Sequence, residues 1–206
     1  MDEFIDGITP QTPEQEPESE REPSTLHKVG LFFLELMKII VLAGVTIVLI
    51  RYFLFKPFYV KGQSMEPSFF ERDYLIIDEI TYRFREPERG EVVVFKAPNV
   101  ADHYLKRIIG LPGERVKVDG NKVIVYNDDH PEGIVIEEVY LTEETPGSIT
   151  VALEEDEYFV LGDNRDASYD SRRFGGITSD VIVGRVWFRG WPFNRISSFN
   201  TPEYNL

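Results

Sequence analysis

The hydrophobic pattern divides the chain into three regimes. Up to about residue 28, apolar positions are isolated among Glu, Pro, Ser, Thr and Gln; Glu14, Glu16, Glu18, Glu20 and Glu22 alternate with residues that include Pro17. Such a segment buries too little apolar area to offset its ordering entropy, so residues 1–28 are predicted to form a disordered acidic tail. From 29 to 55 the pattern turns apolar almost without a break, through Leu31-Phe32-Phe33-Leu34 and then Ile39 to Ile50, with Lys38 near one end and Arg51 near the other. A bilayer core of about 30 Å needs roughly 20 helical residues, and Leu36 to Phe55 has that length. Basic side chains near helix ends reach the headgroups. The run is therefore predicted to be one membrane-spanning helix, stopped at Phe55-Lys56-Pro57. A buried helix of a soluble domain fits only the central part of it. A cleavable signal peptide fits poorly, because the flank before the run is long and acidic, the run is too long and no small-x-small site follows. Basic residues on the two flanks are too evenly divided to orient the span.

After the span, short strand-like runs take over. Tyr74 to Ile77, Val92 to Phe95, Leu105 to Ile109, Arg115 to Val118, Lys122 to Tyr126, Tyr158 to Leu161 and Val181 to Phe188 are separated by turn signals such as Pro98-Asn99, Pro112-Gly113 and Pro146-Gly147. Val116 to Val125 reads as a hairpin about Asp119-Gly120. No helical period follows Phe55, so residues 56–206 are predicted to form an antiparallel β domain and the chain to be mainly β. Residues 127–157 are rich in acids and contain no Lys or Arg. Their spacing does not match a calcium-binding loop, and they are expected to form a solvated, insertion-like hairpin.

Composition narrows the chemistry. The formal net charge of -14 argues against a nucleic-acid partner, which calls for a basic surface. With no cysteine, thiol catalysis and disulfides are excluded, and the three histidines stand in no recognisable motif. That leaves Lys61-Gly62-Gln63-Ser64-Met65-Glu66-Pro67, just past the apolar run, as the candidate nucleophile segment. A serine hydroxyl needs a base to take its proton. Lys106, within Tyr104 to Gly113, can serve only when neutral. With an ordinary pKa of about 10.4, less than ~0.1% of a lysine is neutral at pH 7. Burial lowers that pKa by up to about 3–5 units. Lys106 is therefore expected in an apolar pocket, with Leu105, Ile108 and Ile109 as wall material and a second hydroxyl such as Ser168 to orient the amine. A Ser64–His103 pair is a weaker alternative.

These segments also resemble a known family. Ser64-Met65-Glu66-Pro67 matches the Ser-Met-x-Pro box of the type I signal peptidases, and Arg89 to Phe95 is similar to their second strand box. Tyr104-Leu105-Lys106-Arg107-Ile108-Ile109-Gly110-Leu111-Pro112-Gly113 resembles their lysine box. Gly162-Asp163-Asn164-Arg165-Asp166-Ala167-Ser168-Tyr169-Asp170-Ser171-Arg172 resembles their C-terminal box. The resemblance implies a β catalytic domain of the signal-peptidase/LexA-like type behind a membrane anchor, using neither metal nor nucleotide. It implies Ser64 as nucleophile, Lys106 as general base, Ser168 bonded to the Lys106 amine, and an Asp170–Arg172 ion pair bracing that loop with Arg107 and Asp163. The backbone N–H of Ser64 would supply the oxyanion hole. Where some relatives add a side-chain hydroxyl, this chain has Gly62, with Gln63 as the nearest substitute. The implied partners are signal peptides of exported preproteins, the lipid bilayer and, as a candidate, the secretion translocon. The implied location is a bacterial plasma membrane, tail inside and catalytic domain outside, although a thylakoid membrane fits as well. Tyr59, Phe58, Phe69 and Phe70 are candidates either for a lipid-facing rim or for core packing. The competing readings are an inactive, membrane-tethered β module that binds secreted chains and a LexA-like self-cleaving peptidase.

Overall fold

The structure, a computed structural model, describes residues 25–53, 55–98, 100–141 and 143–206. Most of the expected acidic tail, residues 1–24, lies outside these. Helix α1 (Thr25–Phe53) begins four residues before the expected boundary at 29 and stops short of Phe55, which opens a strand. Its apolar residues lie on all sides, and Phe32, Ile39, Leu42 and Val48 are exposed. Among the described residues it is the one helix long and apolar enough to cross a membrane, over Lys28–Leu49.

The β domain is built on two antiparallel sheets. In chain order the strands are β1 (Phe55–Tyr59), β2 (Tyr74–Asp78), β3 (Val92–Lys96), β4 (His103–Gly110), β5 (Arg115–Asp119), β6 (Lys122–Tyr126), β7 (Ile134–Val135), β8 (Ile149–Ala152) and β9 (Glu157–Leu161). A short helix α2 (Ser171–Phe174), β10 (Ile177–Thr178), β11 (Ile182–Trp191) and β12 (Ser197–Ser198) complete it. The larger sheet runs β1-β2-β11-β3-β4-β9-β10, with β12 beside β11; the smaller runs β7-β6-β5-β8.

The burial pattern explains the layering. Val92, Val93, Val94 and Phe95 are all buried, as a strand covered on both faces requires. Val92 and Val94 join Leu75, Ile77, Leu105, Val60, Met65 and Phe69 in one core cluster, while Val93 and Phe95 join Ile108, Tyr158 and Val160 in another. A third cluster seats Val116, Val118, Val123 and Val125 of the smaller sheet against Ile109, Phe159 and Leu161.

Two expectations are corrected, and the four aromatic candidates divide. The hairpin turns on Gly120-Asn121 rather than Asp119-Gly120: Asp119 pairs with Lys122, and the two residues between them have φ of 54° and 71°, as a type I′ turn requires. The acidic stretch is no single hairpin, because β7 and β8 flank opposite edges of the smaller sheet and Ile136 and Leu153 are core residues. Phe69 is fully buried and Phe58 packs on the core, as the core-packing alternative expects, whereas Tyr59 and Phe70 are exposed.

Candidate active site

The nucleophile candidate sits on a turn held from both sides. Gly62 takes φ 79°, which glycine adopts without strain, and the chain then closes through Glu66 N–H to Gln63 carbonyl at 3.1 Å and Phe69 N–H to Met65 carbonyl at 2.8 Å. The buried side chains of Met65 and Phe69 anchor the turn and leave Ser64 half-buried at the surface. The Ser64 carbonyl accepts the Asn164 N–H at 3.1 Å, which ties the turn to the loop after β9. A side chain on Gly162 would collide with both that carbonyl and the Ser168 hydroxyl, so the close approach depends on glycine.

Lys106 comes from the middle of β4, opposite Val93, on the same strand face as Tyr104 and Ile108. Its Nζ lies 2.7 Å from Ser64 Oγ and donates to the Leu105 carbonyl at 3.0 Å. Only 4% of the residue is exposed, and among the described residues no carboxylate makes an ion pair with it. Burial therefore dominates its titration and lowers its pKa from 10.5 to about 8; Asp170 and Asp163 pull it up from farther away, and Arg172 pushes it down. Burial thus moves the amine toward the neutral form that a base requires.

The charged residues around the pair brace one another. Arg107, next in the chain but on the other face of β4, grips Asp163 through two hydrogen bonds of 2.9 and 2.6 Å, donates to the Gly90 carbonyl at 2.8 Å and lies 4.0 Å from the centre of the Tyr140 ring. Asp170 accepts from Arg172 at 2.8 and 2.9 Å, from the Gly162 N–H at 3.1 Å, and from the first turn of α2. Arg172 also donates to the Arg165 and Pro146 carbonyls. Such fully bonded pairs hold geometry more than they add net stability.

Ser168 departs from expectation. The amine donates to the Leu105 carbonyl, whereas the Ser168 Oγ is buried and has no hydrogen-bond partner among the described residues. His103 is exposed and, three residues from Lys106, projects from the opposite face of β4; the partner of Ser64 Oγ is the lysine. Sequence reasoning missed Arg165, buried and paired with Glu138 and Thr145, because Glu138 stood in a stretch read as solvated. Ser64 and Lys106 open into a cleft of about 500 Å³, lined by residues 57–65 and 102–106 together with Ala167 and Tyr169. Gly62 and Gln63 both line it, beside the N–H expected to serve as the oxyanion donor.

Comparisons with known proteins show the family to which the chain is similar. The family described as "Signal peptidase, peptidase S26" matches residues 33–191. A protein of Synechocystis sp. named "Probable signal peptidase I-2" is 40% identical over 173 residues, covering 80% of this chain and 76% of that protein. The "Signal peptidase I" of Leptolyngbya laminosa is 34% identical and covers 98% of both chains. The "Signal peptidase IB" of Staphylococcus aureus is 36% identical over 80% of this chain and 92% of its own.

Proposed function

The chain belongs to the signal peptidase family, peptidase S26, and on that premise we propose that it is a membrane-tethered serine endopeptidase that removes signal peptides from exported preproteins through a Ser64–Lys106 dyad. The observation that carries the reading is the 2.7 Å approach of Nζ to Oγ inside a pocket whose burial of the amine lowers its pKa to about 8. A substrate segment lies extended in the cleft, its scissile carbonyl over Ser64. Neutral Lys106 takes the hydroxyl proton as Oγ attacks the carbonyl carbon. The negative oxygen that forms accepts from the Ser64 backbone N–H. As the C–N bond breaks, the Lys106 ammonium gives its proton to the departing amine, leaving an ester on Ser64. Water then attacks the ester, losing a proton to Lys106, and Oγ departs with that proton restored.

Each supporting residue has a stated part. The Leu105 carbonyl orients the amine in the resting state, and Ser168 is a hydroxyl in reserve beside the Ser64 carbonyl, free to bond the ammonium when it forms. Asp170 with Arg172, and Asp163 with Arg107, keep the two loops in register. Tethering rests on α1 and on an aromatic row across one sheet edge: Tyr59 pairs with Tyr74, Tyr74 with Trp191, and all three are exposed. Aromatic rings of this kind favour the headgroup region. In this reading the catalytic domain works on the outer face of a bacterial plasma membrane, on preproteins handed over by the secretion translocon.

The test is cleavage of a preprotein with a small-x-small site in liposomes by wild type, Ser64→Ala and Lys106→Ala. Site-specific cutting by wild type that both substitutions abolish supports the dyad. Retention of activity in Lys106→Ala contradicts it.

A further inference from the structure

The last residues of the chain make contacts that the reaction scheme does not use. After β12, Phe199 returns to the sheet, its N–H bonded to the Trp187 carbonyl at 3.2 Å. Its ring lies 4.5 Å from that of Phe69, the buried anchor of the Ser64 turn, and the Arg189 guanidinium stands 5.0 and 5.5 Å from the two rings. The segment then crosses Gly90. A side chain there would meet Tyr204 at 2.7 Å and Pro202 and Thr201 at 3.0 Å, so only a glycine lets the segment lie this close. The Gly90 carbonyl is itself held by Arg107. The Tyr204 hydroxyl lies 3.2 Å from that of Tyr140, whose ring covers the Arg107 guanidinium. Finally the Asn205 amide accepts the Glu137 N–H and donates to the Val135 carbonyl, each at 3.0 Å, fastening the end to the smaller sheet. Beneath the segment lies a cavity of about 250 Å³, lined in part by Ser68, Arg107, Tyr140, Phe199 and Pro202.

We infer that Phe199–Asn205 is a strap that locks the Ser64 turn against the Arg107–Asp163 pair, with Tyr204 as its main positioning residue. The inference rests on the Ser64–Lys106 reading. The strap joins two elements that must stay in register: the turn that presents Oγ, through Phe69, and β4, which presents Nζ, through Gly90 and Arg107. A displacement of about 1 Å between reacting groups costs rate on the order of 10²-fold. The strap also holds Tyr140, whose ring covers Arg107, the counter-charge of Asp163. Asp163 and Asp170 both favour charged Lys106, while Arg172 opposes it and Ser64 and Tyr104 are its neutral neighbours. Loosening Arg107 exposes the Asp163 charge to Lys106 and moves the amine back toward its protonated form.

The experiment uses the full chain in detergent micelles with a preprotein substrate. It compares wild type, Tyr204→Ala, Tyr204→Leu, Tyr204→Phe and Ser64→Ala, with melting curves for each. In whichever of the Ala and Leu variants folds, kcat at neutral pH is expected to fall by roughly tenfold or more, within the cost of a misplaced reacting group. KM should stay near wild type and the midpoint of the pH–kcat curve should move to higher pH. Tyr204→Phe, which keeps the ring over Gly90, restores both. A folded Tyr204→Ala or Tyr204→Leu with wild-type kcat and midpoint overturns the strap, and so does a loss confined to KM. Cleavage surviving in Ser64→Ala overturns instead the reading on which the strap depends.

Discussion

Adjacent residues of one strand put the same charge type to opposite uses. Lys106 and Arg107 are both cationic and both buried, 4% and 6% exposed, and they point to opposite faces of β4. On one face the lysine meets a serine hydroxyl and a backbone carbonyl and, among the described residues, pairs with no carboxylate, and its pKa drops to about 8. On the other the arginine meets Asp163 in a two-point grip, and its pKa rises despite the same desolvation, chiefly through the hydrogen bonds to that carboxylate. The pairing decides the outcome. Burial without a contacting counter-charge lowers a cation's pKa toward the range a base needs; burial with one keeps the cation charged and paired. The residue types fit these uses, since a lysine titrates readily and an arginine does not.

The comparison can be broken from either face. The largest expected effect is on the brace. Arg107→Met leaves the Asp163 carboxylate buried without its partner and should cost about 3–5 kcal/mol, read as a lowered urea midpoint at unchanged slope. On the base side the sign reverses. At pH below about 8, folded Lys106 carries its charge in a dry pocket. Between about 8 and 10.5 the folded state has released a proton that the unfolded chain still holds, so stability rises with pH across that window. Lys106→Met removes the penalty and should stabilise the fold near pH 7 by up to about 3 kcal/mol, the equivalent of the pKa shift. The same substitution should lower cleavage by roughly 10²–10⁴-fold, the usual contribution of a general base. A variant that is both more stable and inactive would separate the base from the brace. The smallest effect is expected at Ser168. Its hydroxyl has no partner to lose, so Ser168→Ala should change stability by less than about 1 kcal/mol, checked by thermal melting, while cleavage falls if the hydroxyl bonds the ammonium during the reaction.

Much of this was legible in the chain because the site is written in contiguous segments. The Ser64 turn, the Lys106 strand and the loop carrying Asp163, Asp170 and Arg172 are each local runs, and burial of the lysine followed from the chemistry demanded of it. What was not legible depended on packing at a distance. Strand β1 was hidden by Pro57, which reads as a helix stop but is tolerated on the outermost strand of a sheet. Phe69 and Phe70 are neighbours of one residue type, yet one is wholly buried and the other exposed, because only Phe69 faces the core and Phe199. Glu138 looked solvated among other acids, and only the fold brings Arg165 to it. The C-terminal segment has no periodicity, and its meaning lies in the glycine it crosses, far away in the chain.

The account stands on the state of one amine. The most direct measurement is an NMR titration of the Lys106 side chain in the detergent-solubilised protein carrying ¹³C/¹⁵N-labelled lysine, with the signal assigned by its disappearance in Lys106→Met. The account predicts a midpoint near 8, coincident with the rise in cleavage rate. A midpoint near the ordinary 10.5 would contradict it, since a charged amine cannot take the Ser64 proton.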